Sequence, residues 1–326
     1  MTQILPDRLI KNPIATFEIQ HTPHQLAWLN RVAFLVGIPI ALWVISLLVW
    51  LAWRHTPEQF TQLDPVLDWL QTPVMLLVVL GILLHIQTIA QTLNMSVSTK
   101  IRRTHTGAWE SLLMTGIDAR RLVYGRWWAV VRLTWRRFLM LGVIRAGAVL
   151  GLGMVLMNNG NRSFVYLDAG PSSAPGLDAA LAALFVFALT LVNGAFTAAA
   201  GVLGALLADD TAPRMVTATA SRAGALLLPL FLPLIPISGF LLVSDALNDS
   251  ASVTVFILQI IGMVQATLVD NGVLLGGMFA NPLDQGSGVF VPAGLIALAV
   301  YAGLVWGVLW VAQVSARRQG VTTEET

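Results

Sequence analysis

The chain has 326 residues, of which 56 % are hydrophobic and only 11 % are charged. Soluble domains carry about 25 % charged residues, so this composition is typical of a polytopic membrane protein. The formal net charge of +2 gives no reason to expect a nucleic-acid partner. Because the chain contains no cysteine, disulfides, iron–sulfur clusters and cysteine nucleophiles are excluded.

The first 30 residues contain no apolar core of the signal-peptide type, so the first span is expected to be an uncleaved anchor. Their apolar residues alternate with polar ones. This pattern predicts an amphipathic helix on the cytoplasmic membrane surface, interrupted at Pro23. A generic membrane anchor fits the same pattern. The apolar positions are Leu9, Ile10, Ile14, Phe17, Leu26 and Leu29.

Six stretches of the chain reach the roughly 20 mostly apolar residues that a bilayer-spanning helix needs. The predicted spans cover residues 32–53, 72–93, 127–157, 177–207, 223–243 and 291–311. Pro229, Pro233 and Pro236 are expected to kink or break the fifth span. The apolar stretch 253–280 is either a seventh span or a hairpin that enters and leaves on one side.

The distribution of arginine and lysine sets the predicted topology, since these residues concentrate in cytoplasmic loops. The loop after the second span is the most basic, which places it inside together with the N-terminus. Arg317 and Arg318 place the C-terminal tail inside as well, and this requires an even number of spans. We therefore predict an all-α protein of the cell membrane with six spans in residues 31–326, both termini cytoplasmic, and 253–280 as an outer-face hairpin.

The basic segment 96–126, between the second and third spans, has the pattern of two short helices. In the first, Trp109, Leu112 and Leu113 form one apolar stripe, and Gly116 ends the helix. Asp118 is predicted to cap the second helix, with a hydrophobic staple between Ile117 and Leu122. The basic residues expected to project from it are Arg120, Arg121 and Arg126. Those expected at the lipid headgroups are Tyr124, Trp127 and Trp128.

The basic segment has two other interpretations. A loop that binds anionic lipid explains the arginines, at about 1 kcal/mol each, but not the capped apolar stripe, which suits docking into a partner's groove. A DNA-binding helix-turn-helix is disfavoured because the flanking spans hold the segment at the membrane.

The sequence "RRTHTGAWESLLMTGIDARRLVYGRW" resembles the signature of ABC-2 type permeases, the membrane subunits of one class of ABC exporters. Gly116 stands where that family has proline, and Arg126 where it has lysine. The N-terminal "NPIATFE" resembles the family's entry segment, and six spans with an outer-face hairpin before the last is the family's architecture. The matching positions are Thr106, Gly107, Glu110, Leu112, Leu113, Thr115, Leu122, Val123, Gly125 and Arg126.

The resemblance implies a coupling helix that docks on a separate ABC ATPase subunit, and a dimer with a second copy or a similar permease. The chain has no phosphate-binding G-x-x-x-x-G-K-[ST] loop, so ATP and magnesium are expected on that partner. No cofactor and no enzymatic activity are expected of this chain. The docking residues would be Thr106, Gly107, Trp109, Glu110, Leu112, Leu113, Thr115, Arg120, Arg121 and Arg126.

Five polar residues in the apolar stretches are either part of a translocation path or buried polar groups packed between helices. They are His85, Thr88, Thr92, Arg145 and Asp270. A snorkelling arginine and a surface aspartate are the simpler alternatives for the last two. The fifth span and the polar face of the second are expected to line the dimer interface or the path. The small residues of the fourth span are expected to pack within the subunit.

Three functions are compatible with the sequence: the permease subunit of an ABC exporter, a lipid-modifying membrane enzyme, and a structural subunit of a larger membrane complex. The enzyme would need clustered histidine or carboxylate groups at one membrane face, and the acidic residues here are scattered. The resemblance favours the exporter subunit, and the structural subunit stays open as the alternative. No feature of the sequence identifies the transported substrate.

Overall fold

A computed structural model describes the chain in separate ranges, and apart from Asp118 every residue in them is helical. The described residues are 14–16, 35, 37–43, 45–46, 64–97, 118–163, 175–207, 211–231, 264 and 287–318. The predicted all-α class is therefore confirmed for these ranges. The residues expected to dock an ATPase from Thr106 to Thr115, Asp270 and all but Val264 of the predicted hairpin lie outside them.

Five long helices form the described bundle. They are α1 (Asp64–Val97), α2 (Ala119–Ser163), α3 (Pro175–Leu207), α4 (Thr211–Phe231) and α5 (Ser287–Arg318). Three stretches in them are long and apolar enough to cross a membrane: Thr72–Val97, Ala180–Leu207 and Gly294–Arg318. They coincide with the second, fourth and last predicted spans, which supports a membrane-associated protein.

Helix α2 begins where the sequence predicts, but it does not stop after a short amphipathic segment. The carboxylate of Asp118 accepts the backbone N–H of Arg120 at 3.2 Å, and its carbonyl accepts that of Leu122 at 3.0 Å. Asp118 is therefore the predicted N-cap. From there one helix of 45 residues runs through the predicted third span, which corrects the prediction of a separate second coupling helix.

Helix α4 corrects the predicted boundary of the fifth span. The predicted spans leave residues 208–222 as a loop, but residues 211–222 are helical and continuous with the start of the predicted fifth span. Pro213 does not interrupt the helix, since the first turn does not need its missing N–H. The consequence is that Arg222 lies inside the helix bundle instead of in a loop.

Helix α3 is central, because it contacts each of the other four long helices. Its small residues allow this close approach. A Cβ built on Gly194 would lie 2.7 Å from the Phe138 ring of α2, and one on Gly201 would lie 2.3 Å from the Ser96 side chain of α1. A Cβ on Gly204 would lie 2.5 Å from the backbone Cα of Ala218 in α4. The prediction that the small residues of this span pack within the subunit is confirmed.

Helices α1 and α2 run antiparallel and enclose an apolar core of large aliphatic side chains. That core includes Leu77, Leu84, Leu141 and Ile144, each at most 2 % exposed. The first predicted span contributes to it through Ala41, which lies 3.0 Å from a Cβ built on Gly147 of α2.

One aromatic and one aliphatic residue, both predicted at the membrane surface, pack against other helices of the protein. The indole Nε1–H of Trp127 donates to the carbonyl of Ala195 in α3 at 2.9 Å, so this ring joins α2 to α3 and is not only a headgroup anchor. Ile14, predicted on the lipid-facing side of a surface helix, is 6 % exposed and belongs to the same apolar core as Leu122 and Val123. The N-terminal segment is therefore held against the bundle at this point.

Candidate functional site

A polar stripe runs along the central helix α3, within an otherwise apolar sequence. Thr190, Asn193 and Thr197 lie three and four residues apart, which places them on one helix face, and all three are fully buried. Asn193 stands near the middle of the apolar stretch Ala180–Leu207. Amide and hydroxyl groups at such a position need hydrogen-bond partners, since leaving them unpaired in an apolar environment is costly.

Three other helices supply those partners. From α2, Arg145 Nη1 donates to the Thr190 hydroxyl at 3.2 Å. From α4, Arg222 donates through Nε to the Thr197 hydroxyl and through Nη2 to the Asn193 side-chain oxygen, each at 3.2 Å. From α1, His85 Nε2 lies 3.3 Å from Asn193 Nδ2. We name these six residues the central polar cluster: His85, Arg145, Thr190, Asn193, Thr197 and Arg222.

The hydrogen bonds of the central polar cluster assign donor and acceptor at each group. Both threonine hydroxyls donate to carbonyls one turn earlier on α3, those of Val186 and Asn193, so their oxygens are left to accept from the arginines. The Asn193 side-chain oxygen accepts from Arg222, which turns its amide nitrogen toward His85. An amide nitrogen only donates, so His85 Nε2 is the acceptor and the ring proton lies on Nδ1.

Arg222 is half-buried, and its described hydrogen-bond partners are neutral groups. Its two hydrogen bonds use two of the five N–H groups of a guanidinium. The guanidinium carbon lies 6.0 Å from the centroid of the Phe196 ring, a distance at which a cation is attracted to the ring face. Phe196 in turn packs edge-on against Tyr301 of α5. No carboxylate in the described part of the chain forms an ion pair with Arg222.

A row of buried arginines lines α2 on the side that faces α1 and α3. Arg126, Arg137 and Arg145 are spaced by about three and two helical turns, and each is less than 9 % exposed. Arg137 Nη1 donates to the Gln91 side-chain oxygen at 2.7 Å, and Arg126 Nη2 to the Ser96 carbonyl at 3.3 Å. We name these three residues the arginine row. It leads from the start of α2 to the central polar cluster.

The structure separates the three arginines that the sequence grouped as docking residues. Arg120 and Arg121 are exposed at the start of α2, as predicted. Arg126 is 6 % exposed, and its bond to Ser96 satisfies a carbonyl in the last turn of α1. Its assignment as a projecting docking residue is therefore wrong, because the helix end that it stabilises lies within this chain.

Of the polar residues predicted in the apolar stretches, the structure brings His85 and Arg145 into one cluster. Thr88 and Thr92 are fully buried on α1, and the Thr92 hydroxyl donates to the Thr88 carbonyl at 2.7 Å. Because this chain covers both side chains, the expectation of a dimer interface does not hold for them, and the expectation of a translocation path stays a prediction. Asp270 lies outside the described ranges.

Four members of the central polar cluster are not among the residues predicted from the sequence. Thr190, Asn193 and Thr197 were overlooked because α3 was read for its small residues, although their helical spacing is visible in "TLVNGAFT". Arg222 was overlooked because its segment was assigned to a loop. Of these four residues, only Arg222 could not have been assigned from the sequence, since its sequence neighbours do not show which helix it faces.

The chemistry available at the central polar cluster is positive charge and hydrogen-bond donation. Two guanidinium groups and one amide converge on one face of α3, and the described members include no carboxylate. No family model, curated protein or solved structure matches the chain.

Proposed function

We propose that the chain is the membrane-spanning permease subunit of an ATP-driven exporter of the ABC-2 type. A separate ATPase subunit would bind ATP and magnesium, and two permease chains would form the translocation path. The observation that carries the proposal is the continuity of α2. A single helix joins the exposed Arg120 and Arg121 at its capped start with Arg145 in the central polar cluster.

This continuity offers a physical route from a docking surface to a site within the membrane. An α-helix rises 1.5 Å per residue, so about 36 Å separates Arg121 from Arg145. Because the helix is unbroken, a partner that moves its capped end also moves Arg145 relative to Thr190 on α3. The positions that resemble the ABC-2 signature lie on both sides of this capped end: Thr106 to Thr115 precede it in the sequence, and Leu122 to Arg126 lie in the first turns of α2.

The position of the central polar cluster also supports a transport role. His85 and Asn193 stand near the middle of two stretches long enough to cross a bilayer. Charged and polar side chains at that depth are costly, and they commonly mark ion or substrate paths. The cluster also rests on four different helices, so a change in helix packing would change its geometry.

The docking part of the proposal is tested by Leu113→Asp. Leu113 belongs to the predicted apolar stripe, so a carboxylate there should prevent docking, and the ATPase subunit should no longer co-purify. The matched control is Val321→Asp, which places the same charge in the C-terminal tail. Co-purification is measured with a P-loop ATPase identified by mass spectrometry, and ATP hydrolysis is measured with the permease in detergent.

The permease itself should remain inserted and monodisperse in both variants. If the Leu113→Asp variant still co-purifies with the ATPase and still stimulates ATP hydrolysis, the docking role is contradicted. A wild-type chain that purifies with other membrane subunits but with no ATPase would favour the structural-subunit function.

The proposed topology has six spans with both termini in the cytoplasm. Since the chain has no cysteine, single-cysteine variants can be labelled without background. Asp64→Cys, Asn161→Cys and Asp284→Cys should react with a membrane-impermeant maleimide on intact cells. Thr323→Cys should react only after permeabilisation, and labelling of that variant on intact cells would overturn the six-span topology.

A further inference from the structure

We propose that the outer face of α2 binds the phosphate headgroup of an anionic phospholipid at the membrane surface. The binding residues are Arg132 and Arg136, one helical turn apart, with Trp135 beside them, and all three are exposed. We name these three residues the outer α2 patch. The inference concerns this chain and its membrane alone, so it holds whether or not the chain couples to an ATPase.

The first argument is the chemistry of the outer α2 patch. Arg132 and Arg136 are four residues apart, so both side chains leave the same side of the helix. Within the described ranges neither guanidinium forms a hydrogen bond or an ion pair, and α2 contains no aspartate or glutamate. The Arg136 guanidinium carbon lies 5.8 Å from the centroid of the Trp135 ring. Guanidinium groups bind phosphate oxygens through parallel N–H bonds, so this patch is suited to a phosphate.

The second argument is the depth of the outer α2 patch relative to the membrane. Arg126 donates to the Ser96 carbonyl, and Arg137 donates to the Gln91 side chain. Both acceptors belong to the end of the apolar stretch of α1, so this part of α2 is expected at one surface of the bilayer. Arg132 lies between the two contacts along α2. The predicted topology makes this surface cytoplasmic, and cytoplasmic leaflets carry anionic lipid.

The third argument is that the outer face of α2 becomes apolar directly after the patch. Leu139 and Val143 lie three and seven residues after Arg136, on the same side of the helix, and both are partly exposed. Met140 beside them is 36 % exposed. A ligand that fits this face needs an anionic group at the arginines and an apolar body next to it. A phospholipid has both parts, whereas a soluble anion or an acidic peptide would leave the apolar side chains uncovered.

Exposed tryptophans on another helix lie at the same end of the bundle. Val308 of α5 belongs to the same buried cluster as Leu122 in the first turns of α2. Near Val308, Trp306 and Trp310 are 66 % and 56 % exposed. Tryptophan is enriched where a membrane protein passes from hydrocarbon to headgroups. Together with Trp135, these rings indicate that headgroups surround this end of the bundle.

Binding is measured by native mass spectrometry on the purified full chain in a zwitterionic detergent. The probes are phosphatidylglycerol, phosphatidylcholine and soluble glycerol 3-phosphate. Phosphatidylglycerol should bind at concentrations at which the other two do not. Equal binding of phosphatidylcholine would overturn the role of charge. Binding of glycerol 3-phosphate as tight as that of phosphatidylglycerol would assign the site to a soluble anion and overturn the lipid.

The test variant combines Arg132→Gln with Arg136→Gln, and its matched control combines Arg317→Gln with Arg318→Gln. The control removes two exposed arginines from the last turn of α5, so the net charge changes equally. An arginine near an anionic membrane surface contributes about fivefold in affinity, so the test variant should bind phosphatidylglycerol about 25-fold more weakly. The control should bind as the wild type does. Unchanged binding by the test variant, or equal weakening in both, would overturn the site.

A second measurement remains informative if the double variant fails to fold. Since the chain has no cysteine, a nitroxide can be attached to Arg132→Cys or to Val143→Cys in nanodiscs that contain phosphatidylglycerol. The label on Arg132→Cys should be accessible to a water-soluble nickel chelate, and the label on Val143→Cys to oxygen dissolved in the lipid. Shielding of the first label from both reagents would assign this face to a protein contact and overturn the lipid. Access of oxygen but not of nickel to that label would place the patch in hydrocarbon and overturn the headgroup site.

Discussion

Replacement of Gly204 by alanine is expected to force α4 away from α3 and to destabilise the bundle. A Cβ at this position would lie 2.5 Å from the Ala218 Cα and 2.6 Å from its backbone nitrogen. Backbone atoms cannot rotate away as a side-chain tip can, so α4 as a whole must shift. Such overpacking costs about 3 kcal/mol or more where the neighbour is rigid. The measurement is the unfolding temperature of the purified chain in detergent.

Gly303→Ala provides the matched control for Gly204→Ala. Gly303 also lies within a long apolar helix, α5, but a Cβ there meets no atom within 4 Å. Alanine is favoured over glycine in a helix interior by about 1 kcal/mol, so this variant should be as stable as the wild type or more stable. Equal unfolding temperatures for Gly204→Ala and Gly303→Ala would contradict the close packing of α3 and α4.

Replacement of Asn193 by leucine is expected to have the second large effect on stability. Its side chain is the only link between His85 of α1 and Arg222 of α4 within the described hydrogen bonds. Leucine leaves the half-buried Arg222 with the Thr197 hydroxyl as its one described hydrogen-bond partner. Hydrogen bonds to charged groups contribute about 1.5–3 kcal/mol each. We therefore expect a loss of about 2–4 kcal/mol in the free energy of unfolding.

The control for Asn193→Leu is Thr219→Val on α4. The Thr219 hydroxyl is exposed and donates only to the carbonyl of Met215 one turn earlier. Substitutions of this kind usually change stability by less than about 0.5 kcal/mol. If both variants unfold at the same temperature, the central polar cluster contributes no stability and its hydrogen bonds are replaced by water.

Local sequence rules predicted those features of the chain that depend on a few neighbouring residues. The Asp118 cap follows from a single short polar side chain between Ile117 and Leu122, the residues of the predicted hydrophobic staple, and the structure places the start of α2 at the next residue. The close packing of α3 is indicated by its glycines and alanines, since small residues let helices approach one another closely. Both features are decided within about one turn of helix.

Features that depend on tertiary partners could not be predicted in this way. Arg126 and Arg222 occur in polar sequence, so hydropathy assigns both to the cytoplasmic side. The structure buries Arg126 at the end of α1 and places Arg222 in the central polar cluster, because Ser96, Asn193 and Thr197 accept their N–H groups. Those acceptors are distant in sequence, and no periodic pattern connects them with the arginines.

Because α2 is long, a small tilt of this helix changes the geometry of the central polar cluster. Arg121 and Arg145 are separated by about 36 Å along one helix axis. A tilt of about 5° around the capped end would therefore displace Arg145 sideways by about 3 Å. That displacement is comparable to the 3.2 Å between Arg145 Nη1 and the Thr190 hydroxyl. A rotation of a few degrees is thus enough to exchange one hydrogen-bond partner of Arg145 for another.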